Sequence, residues 1–313
     1  MRSGAATDHV GYFHETAFYD SDEVFVDIVA PFLQDGVDAG EPTVVACSPT
    51  NAALLERAVD WSSVMVLPGP DQYARPARTI KDYRRLFGRL AREGAAQIRV
   101  VGDVPHPGTG TDWTGWLHYE AAVNDAYAEF PVWGLCPYDL RIAPSAVVED
   151  VCCAHPFVAT RHGDHLPNAR FEAPSSLLRR RGDGTRPLGP ALLTLLDPTA
   201  AEARRRVGEA VAPVLGRERV EVVQLVTSEL VANALEHGRA PRSLALHLGE
   251  GQVTIAVADG GDGPADRLAG WLEPDPLVEH GRGLWIVNQL AVELRSSRGA
   301  GFEVQATLAA TES

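Results

Sequence analysis

The sequence predicts two domains in tandem, an N-terminal α/β domain with a mostly parallel sheet and a C-terminal α+β sandwich. In the first half, short β-branched apolar runs alternate with segments of helical periodicity, which is typical of a parallel sheet covered by helices. In the second half, two helical segments precede two pairs of strands, an order typical of helices packed on an antiparallel sheet. A chain of 313 residues is long enough for two domains that each bury a core.

The predicted elements of the first half alternate in type along the chain. Apolar runs predict strands, and apolar residues that recur every three or four positions predict helices. The predicted helices are 21–39, 51–59, 82–93, 116–129 and 145–154, and the predicted strands are 43–47, 64–67, 98–104 and 132–136.

The second half begins with a helix that Asp197-Pro198 is expected to open, as its N-cap and first-turn residues. That helix runs to about residue 215. A second helix ends at His237-Gly238, with the glycine as its C-terminal cap. The other predicted elements are a helix at 219–236, strands at 243–248 and 252–258, a loop at 260–280, a helix at 283–291 and strands at 293–297 and 302–308.

A segment rich in Arg, Gly, Pro and Asp separates the two patterns. It predicts a boundary region rather than a folded element. The predicted organisation is an N-terminal domain at 1–160, a linker at 161–189 and a C-terminal domain at 190–313.

Charge and hydropathy exclude several classes of partner. The net charge is −14, and the basic cluster at 179–181 is interpreted as solvated linker, so we expect no direct contact with nucleic acid. No apolar run approaches the roughly 20 residues of a membrane span, and the N-terminus has no apolar signal core. A cytoplasmic protein without membrane contact is expected, and a homodimer is left open.

The lysine content excludes one kind of nucleotide site. Lys81 is the only lysine of the chain, and no glycines lie near it. A P-loop of the Walker type requires a Gly-Lys pair, so any nucleotide site must be of another type.

Glu229, Asn233 and His237 form a polar stripe on the second predicted helix. They are spaced four residues apart and therefore share one face. The stripe could be a solvated face of the helix, or it could face a ligand. A carboxylate and an amide side by side are suited to holding Mg²⁺, which prefers oxygen ligands.

Glycines follow or open the neighbouring elements. Asp259 ends a predicted strand and is followed by Gly260, Gly261 and Gly263, so a flat ligand could approach the backbone closely while the carboxylate accepts from an exocyclic amine. The segment 281–283, which carries two glycines, opens a helix whose free N–H groups would face an anion.

Taken in order, these segments resemble the ATP-binding fold of the GHKL superfamily, which includes gyrase, Hsp90-type chaperones, histidine kinases and MutL. Residues 229–233 resemble its N box, 259–263 its Asp-x-Gly-x-Gly box and 281–283 its later glycine box. The short domain and the form Glu-Leu-Val-x-Asn-x-x-x-His-Gly resemble the anti-sigma regulatory factor branch, whose members are serine/threonine protein kinases of the partner-switching type. The resemblance covers about residues 190–310.

The resemblance implies a role for each residue and two cofactors, ATP and Mg²⁺. Asn233 would hold Mg²⁺ on the phosphates, and Asp259 would bind adenine. Glu229 would be the general base that takes the proton from a serine hydroxyl of the partner. The other predicted cofactor-binding residues are His237, Gly261, Gly263, Gly281 and Gly283.

The first half resembles, with less specific motifs, the MEDS sensory domain, which implies a RecA-like sheet and a sensory role. The first predicted strand–helix junction, at 47–51, contains no P-loop, so we do not expect nucleotide hydrolysis in this half. The matching pieces are 9–14, 31–36, 40–41, 100–103, Glu120 with Asn124, 136–139 and 155–156.

The histidines and cysteines of the first half leave one alternative open. They could form a metal or haem site, but their spacing matches no ligand pattern, so packing roles are favoured. The residues concerned are His9, His14, Cys47, Cys136 and His155.

The sequence therefore predicts an ATP-dependent anti-sigma-type regulator. It would phosphorylate a serine on an anti-anti-sigma partner of the STAS type and so control the availability of a sigma factor, in response to the N-terminal domain. In the alternative, the C-terminal domain binds ATP and sequesters a sigma factor or its antagonist without catalysis.

Overall fold

The fold is that of a computed structural model, which describes residues 2–181, 184–249, 251–274 and 281–311, apart from the side chains of residues 70 and 71. The chain divides into two units, Met1–Leu177 and Leu178–Ser313.

The N-terminal unit is built on a sheet of seven strands in its described part. The strands are β1 (Phe13–Tyr19), β2 (Thr43–Ala46), β3 (Val64–Val66), β4 (Ile98–Gly102), β5 (Val132–Asp139), β6 (Phe157–Ala159) and β7 (His165–Pro167). The helices are α1 (Asp22–Asp38), α2 (Pro49–Leu55), α3 (Gly69–Gln72), α4 (Pro76–Arg92), α5 (Thr114–Ala126), α6 (Ser145–Ala154) and α7 (Pro174–Arg181), the last of which spans the division between the units.

The strand order is β3-β2-β4-β5-β1-β6-β7, and only the β6–β7 pair is antiparallel. Strands β2, β4 and β5 are buried along their whole length, as expected for parallel strands covered on both faces. The predicted mostly parallel sheet is confirmed.

Strand β1 lies at the centre of this sheet, between β5 and β6, although the sequence pattern did not predict it. Its sequence, Phe-His-Glu-Thr-Ala-Phe-Tyr, places three consecutive polar residues in the interior, where an apolar run would have signalled a strand. The interpretation of 47–51 as the first strand–helix junction is wrong, because β1 leads into α1 through Asp20 and Ser21. Ser21 caps that helix by accepting from the N–H of Val24.

The C-terminal unit packs helices on an antiparallel sheet, which confirms the predicted sandwich. The sheet order is β11-β12-β10-β9-β8, with every neighbouring pair antiparallel. Its elements are β8 (Leu193–Leu196), α8 (Ala200–Val211), α9 (Arg217–His237), β9 (Ser243–Gly249), β10 (Gln252–Asp259), α10 (Arg282–Leu290), β11 (Glu293–Arg298) and β12 (Phe302–Ala309).

Two terminal residues of the helices behave differently from the prediction. Helix α8 is capped by Thr199, whose hydroxyl accepts from Glu202 N, and not by Asp197. Asp197 instead accepts from Arg242 N with φ 43°, a conformation that Asp tolerates. Gly238 ends α9 in an extended conformation and not in the left-handed one. Glycine is required at this position by the close approach of another side chain, which is described with the candidate site below.

The segment predicted as a linker contains secondary structure. Strand β7 and helix α7 both lie within 161–189. Of the predicted loop at 260–280, residues 275–280 lie outside the described part of the chain. Among the described residues, no helix combines the length and apolar character that a membrane span requires.

Candidate functional site

Helix α9 positions the first two side chains of the site. Its apolar stripe packs in the core of the C-terminal unit through Val223, Val226, Leu230, Val231 and Ala234. Glu229 and Asn233 lie one turn apart beside that stripe and are half-buried. A polar pair at the edge of a buried face is held by the helix, so its geometry does not depend on a flexible loop.

The pair faces a cavity of about 690 Å³, within the range typical of small-molecule sites. α9, the end of β10, the start of α10 and β12 supply its walls. Apolar side chains form much of the lining, among them Leu230, Val257, Leu284, Phe302 and Val304. Such a surface suits a flat apolar group such as a purine base.

Asp259 lies at the end of β10, where two backbone N–H groups orient its carboxylate. Oδ1 accepts from Gly261 N at 2.6 Å and from Arg239 N at 3.2 Å. In the described part of the chain no partner is found for Oδ2, which is therefore available to an amino group of a ligand. A side-chain carbon at Gly238 would lie 2.5 Å from Asp259 Oδ1, so only glycine leaves room for this carboxylate.

Two further glycines allow close approach at the cavity wall. Gly263 has φ +69°, and a side-chain carbon there would lie 2.4 Å from the ring of Phe302. A side-chain carbon at Gly283 would lie 2.5 Å from Glu229 Oε2 and 3.4 Å from Asn233 Oδ1. The start of α10 is thus pressed against the polar pair of α9.

Helix α10 begins after Gly281, which has φ 88° and offers no side-chain cap. The first N–H groups of a helix have no partner within the helix, and its dipole favours an anion there. Arg282, the first residue of the helix, also lines the cavity and adds positive charge. These features would hold phosphate groups.

The rest of the charge in the cavity is negative. Glu229, Glu236 and Asp259 line it, and a polyphosphate beside them would be repelled unless a cation lay between. Asn233 offers an oxygen next to Glu229, in the donor set that Mg²⁺ prefers. The residues present therefore fit ATP with Mg²⁺: an apolar wall and a carboxylate for the base, a helix start for the phosphates, and oxygen ligands for the ion.

The structure places most of the predicted site residues together. Glu229, Asn233, His237, Asp259, Gly263, Gly281 and Gly283 all line the one cavity. His237 lies at its edge with its side chain 67 % exposed, and its nearest charged neighbour is Glu236 at 3.9 Å. Gly261 is absent from the lining and instead donates to Asp259.

The apolar wall and Arg282 were not predicted from the sequence. Phe302 and Val304 alternate with outward-facing residues in β12 as any core strand does, so nothing in the pattern distinguishes them from packing residues. Arg282 lies between two predicted glycines, and its position at the start of a helix was the available signal.

In the N-terminal unit the structure brings together three of the five residues considered for a metal or haem site. His14, Cys136 and His155 are buried side by side, and Glu120 joins them as a fourth. His9 and Cys47 are not part of this group; His9 Nε2 lies 3.0 Å from the carbonyl oxygen of Tyr12.

Comparison with known protein families assigns both units. Residues 13–156 match the family model of MEDS, the methanogen/methylotroph, DcmR sensory domain. Residues 194–308 match the family model of the histidine kinase-like ATPase domain, which implies ATP binding. No curated protein matches the chain. The chain therefore combines an N-terminal MEDS domain with a C-terminal histidine kinase-like ATPase domain.

Proposed function

We propose that this protein is an ATP-dependent regulator of the anti-sigma type, whose C-terminal unit phosphorylates a serine of a protein partner. The observation that carries the proposal is the close approach of Glu229 and Asn233 to Gly283, where an added side-chain carbon would lie 2.5 Å from Glu229 Oε2 and 3.4 Å from Asn233 Oδ1. It unites a candidate base, a candidate magnesium ligand and a phosphate-binding helix start on one wall of the cavity.

Each side chain has a defined task in this proposal. Bound ATP with Mg²⁺ would supply the phosphoryl group and neutralise part of its charge. Asn233 would ligate the ion through Oδ1, and the N–H groups of α10 would face the phosphates. Asp259 would accept a hydrogen bond from the exocyclic amine of adenine through Oδ2, because Oδ1 is already held by the backbone.

Glu229 would accept the proton of the serine hydroxyl as that oxygen bonds to the γ-phosphorus of ATP, the bond from this phosphorus to the β–γ bridging oxygen breaks, and ADP leaves. Phosphoryl transfer depends mainly on the positioning of the reacting groups and on charge neutralisation. One carboxylate beside the ion is therefore the only catalytic side chain that the protein would need to supply for this step. Glu229 is half-buried on a helix and lines the cavity, where a serine side chain of the partner would have to reach it.

The partner that we propose is an anti-anti-sigma protein of the STAS type, whose phosphorylation state would control the release of a sigma factor. The N-terminal MEDS domain would set the activity in response to a signal. The proposal rests on the resemblance of 229–238 to the anti-sigma regulatory branch and on the ATPase domain that contains it.

The test uses the full chain, ATP labelled at the γ-phosphate, Mg²⁺ and candidate STAS-type proteins. Transfer of label to the partner, lost when the accepting serine is replaced by alanine, is the expected result. An ATP-dependent complex without transfer would support the non-catalytic alternative, in which the domain only sequesters its partner. Neither transfer nor a complex with any sigma factor or STAS-type protein would overturn the assignment.

A further inference from the structure

Four side chains that can ligate a metal converge in the interior of the N-terminal unit. His14 comes from β1, Glu120 from α5, Cys136 from β5 and His155 from the end of α6. All four are buried, and one potential ligand atom of each lies within 4.8 Å of the others. The described residues contain no other group of three or more His, Cys, Asp or Glu residues arranged in this way.

The hydrogen bonds of Asn124 determine which nitrogen of His14 faces the group. Asn124 Nδ2 donates to the carbonyl oxygens of Glu120, Ala121 and Ala154, so its Oδ1 must be an acceptor. His14 Nδ1 lies 3.1 Å from that Oδ1 and therefore donates to it. Nε2 of His14 is left with a lone pair directed at Glu120 and Cys136.

A backbone carbonyl group fixes the ring of His155 in the same way. Its Nδ1 donates to the carbonyl oxygen of Val151 at 2.8 Å, which leaves Nε2 with a lone pair. Neither His155 Nε2 nor Glu120 Oε2 has a hydrogen-bond partner, although both are fully buried. Histidines that ligate metals are held in this way, with one ring nitrogen bonded to a carbonyl or carboxamide and the other turned to the ion.

Three of the six distances among the four ligand atoms are those expected around a tetrahedral ion, and the remaining ones are at most 4.8 Å. Nε2 of His14 and Nε2 of His155 each lie 3.4 Å from Glu120 Oε2, and His14 Nε2 lies 3.7 Å from Cys136 Sγ. Around tetrahedral zinc, with bonds of about 2.0–2.1 Å to N and O and about 2.3 Å to S, such atoms are separated by about 3.3 Å and about 3.5 Å. The lone pairs of His14 Nε2, His155 Nε2 and Glu120 Oε2 converge, and they repel one another unless a proton or a cation lies between them. A single proton would join one pair of these atoms, whereas a metal ion would contact all four.

The protonation states suit ligation. Burial lowers the pKa of His14 to about 3 and that of His155 to about 3, so both imidazoles are neutral at physiological pH. Burial raises the pKa of the Cys136 thiol and that of the Glu120 carboxyl, so a bound ion would have to displace any proton that these two groups carry. Glu120 Oε1 is already engaged by the hydroxyl of Tyr138, which leaves Oε2 for the ion.

We propose that His14, Glu120, Cys136 and His155 bind one zinc ion, as a closed structural site of the N-terminal unit. The mixed set of nitrogen, sulfur and oxygen ligands suits Zn²⁺ and disfavours Mg²⁺ and Ca²⁺, which take oxygen ligands. Four protein ligands without exposure leave no open position for a substrate, so the ion would cross-link β1, α5, β5 and α6. This proposal is independent of the function proposed for the C-terminal unit.

The first measurement is the zinc content of the purified full chain after dialysis without a strong chelator. We expect elemental mass spectrometry to find about one zinc ion per chain. Removal of the zinc with a chelator should lower the melting temperature of the N-terminal unit. A folded protein that retains no zinc above the buffer and binds none on titration would overturn the proposal.

The second measurement identifies the ligands through Co²⁺ in place of Zn²⁺. A thiolate bound to Co²⁺ gives a charge-transfer band in the near ultraviolet, which Cys136→Ser should abolish and Cys47→Ser, at another buried cysteine, should retain. Asn124→Ala should retain the band and weaken zinc affinity about 10–100-fold, as expected for a partner that orients a ligand. A band that survives in Cys136→Ser and disappears in Cys47→Ser would contradict the assignment. If Cys136→Ser does not fold, the zinc content of the unaltered chain decides alone.

Discussion

The carboxylate of Glu229 lies directly against Gly283, so that a side-chain carbon at position 283 would be 2.5 Å from Oε2. The same position is 3.4 Å from Asn233 Oδ1. The absence of a side chain at the second residue of α10 therefore allows the start of one helix to meet the polar edge of another. This contact joins the candidate chemistry of α9 to the candidate phosphate site of α10.

Replacing Gly283 by alanine should reduce function without reducing stability. The added carbon meets only the end of a flexible side chain, so Glu229 can move aside, and alanine is favoured over glycine within a helix by roughly 0.5–1 kcal/mol. Displacement of Glu229, the candidate general base, is expected to lower the rate of phosphoryl transfer by about 100-fold. A transfer assay beside a melting curve checks this. Gly299→Ala is the control, because a side chain at Gly299 contacts nothing; equal loss of transfer in both variants would show that Gly283 has no special role.

Asn233→Ala should weaken ATP binding only when Mg²⁺ is present. The carboxamide oxygen is assigned to the ion, and removal of one partner of a charged group corresponds to about 1.5–3 kcal/mol, or about 10–100-fold in affinity. Calorimetric titration with ATP, with Mg²⁺ and with excess chelator, measures the difference. An equal loss under both conditions would place Asn233 on the nucleotide itself and not on the ion.

Asp259→Asn should change the preference of the site for ATP over GTP. The amide keeps the oxygen that accepts from Gly261 and Arg239 but presents an N–H₂ group where Oδ2 would accept from adenine. We expect the affinity for ATP to fall about tenfold or more. The affinity for GTP should fall less, because guanine carries a carbonyl group where adenine carries its exocyclic amine. Competition binding with the two nucleotides gives the ratio. Asp262→Asn is the matched control, since that carboxylate is 86 % exposed and paired with Arg239; an unchanged ratio in Asp259→Asn would remove the residue from base recognition.

Glu41→Ala should strongly destabilise the N-terminal unit. Arg99 is buried, its Nε lies 2.8 Å from Glu41 Oε2, and its charge would be left without that partner. Loss of one member of a buried ion pair typically costs about 3–5 kcal/mol. The free energy of unfolding from urea titration is the measurement.

Glu129→Ala breaks the more exposed pair with Arg84 and serves as the control, with an expected change of about 1 kcal/mol or less. Similar losses in the two variants would mean that burial of the Arg99 pair contributes nothing.

The grouping of residues in the candidate site of the C-terminal unit could be predicted from the sequence because these residues are close together along the chain. Glu229 and Asn233 are four residues apart on one helix, and the glycines lie next to the elements that they open or close. Local periodicity reports such placement directly. The apolar wall of the cavity could not be predicted, because the strand pattern predicts burial of Phe302 whether or not a cavity lies beside it.

The N-terminal cluster shows the opposite case. His14 lies more than 100 residues before Glu120, Cys136 and His155 in the sequence. It comes close to Cys136 only through the parallel register of β1 and β5, which places Thr16 opposite Cys136. β1 itself was missed because His14, Glu15 and Thr16 are polar yet buried. The spacing of the histidines and cysteines along the chain therefore carried no information on their spacing in the fold.

The proposed role of Glu229 as general base is tested most directly by the rate of phosphoryl transfer by Glu229→Gln, measured in a single turnover beside the affinity of the variant for ATP. Glutamine keeps the shape that packs against Gly283 but cannot take a proton. We expect nearly unchanged ATP affinity and melting temperature, with transfer slowed by about 10²–10⁴-fold, the usual contribution of a general base. Transfer at the rate of the unaltered protein, in a well-folded Glu229→Gln variant, would contradict this role.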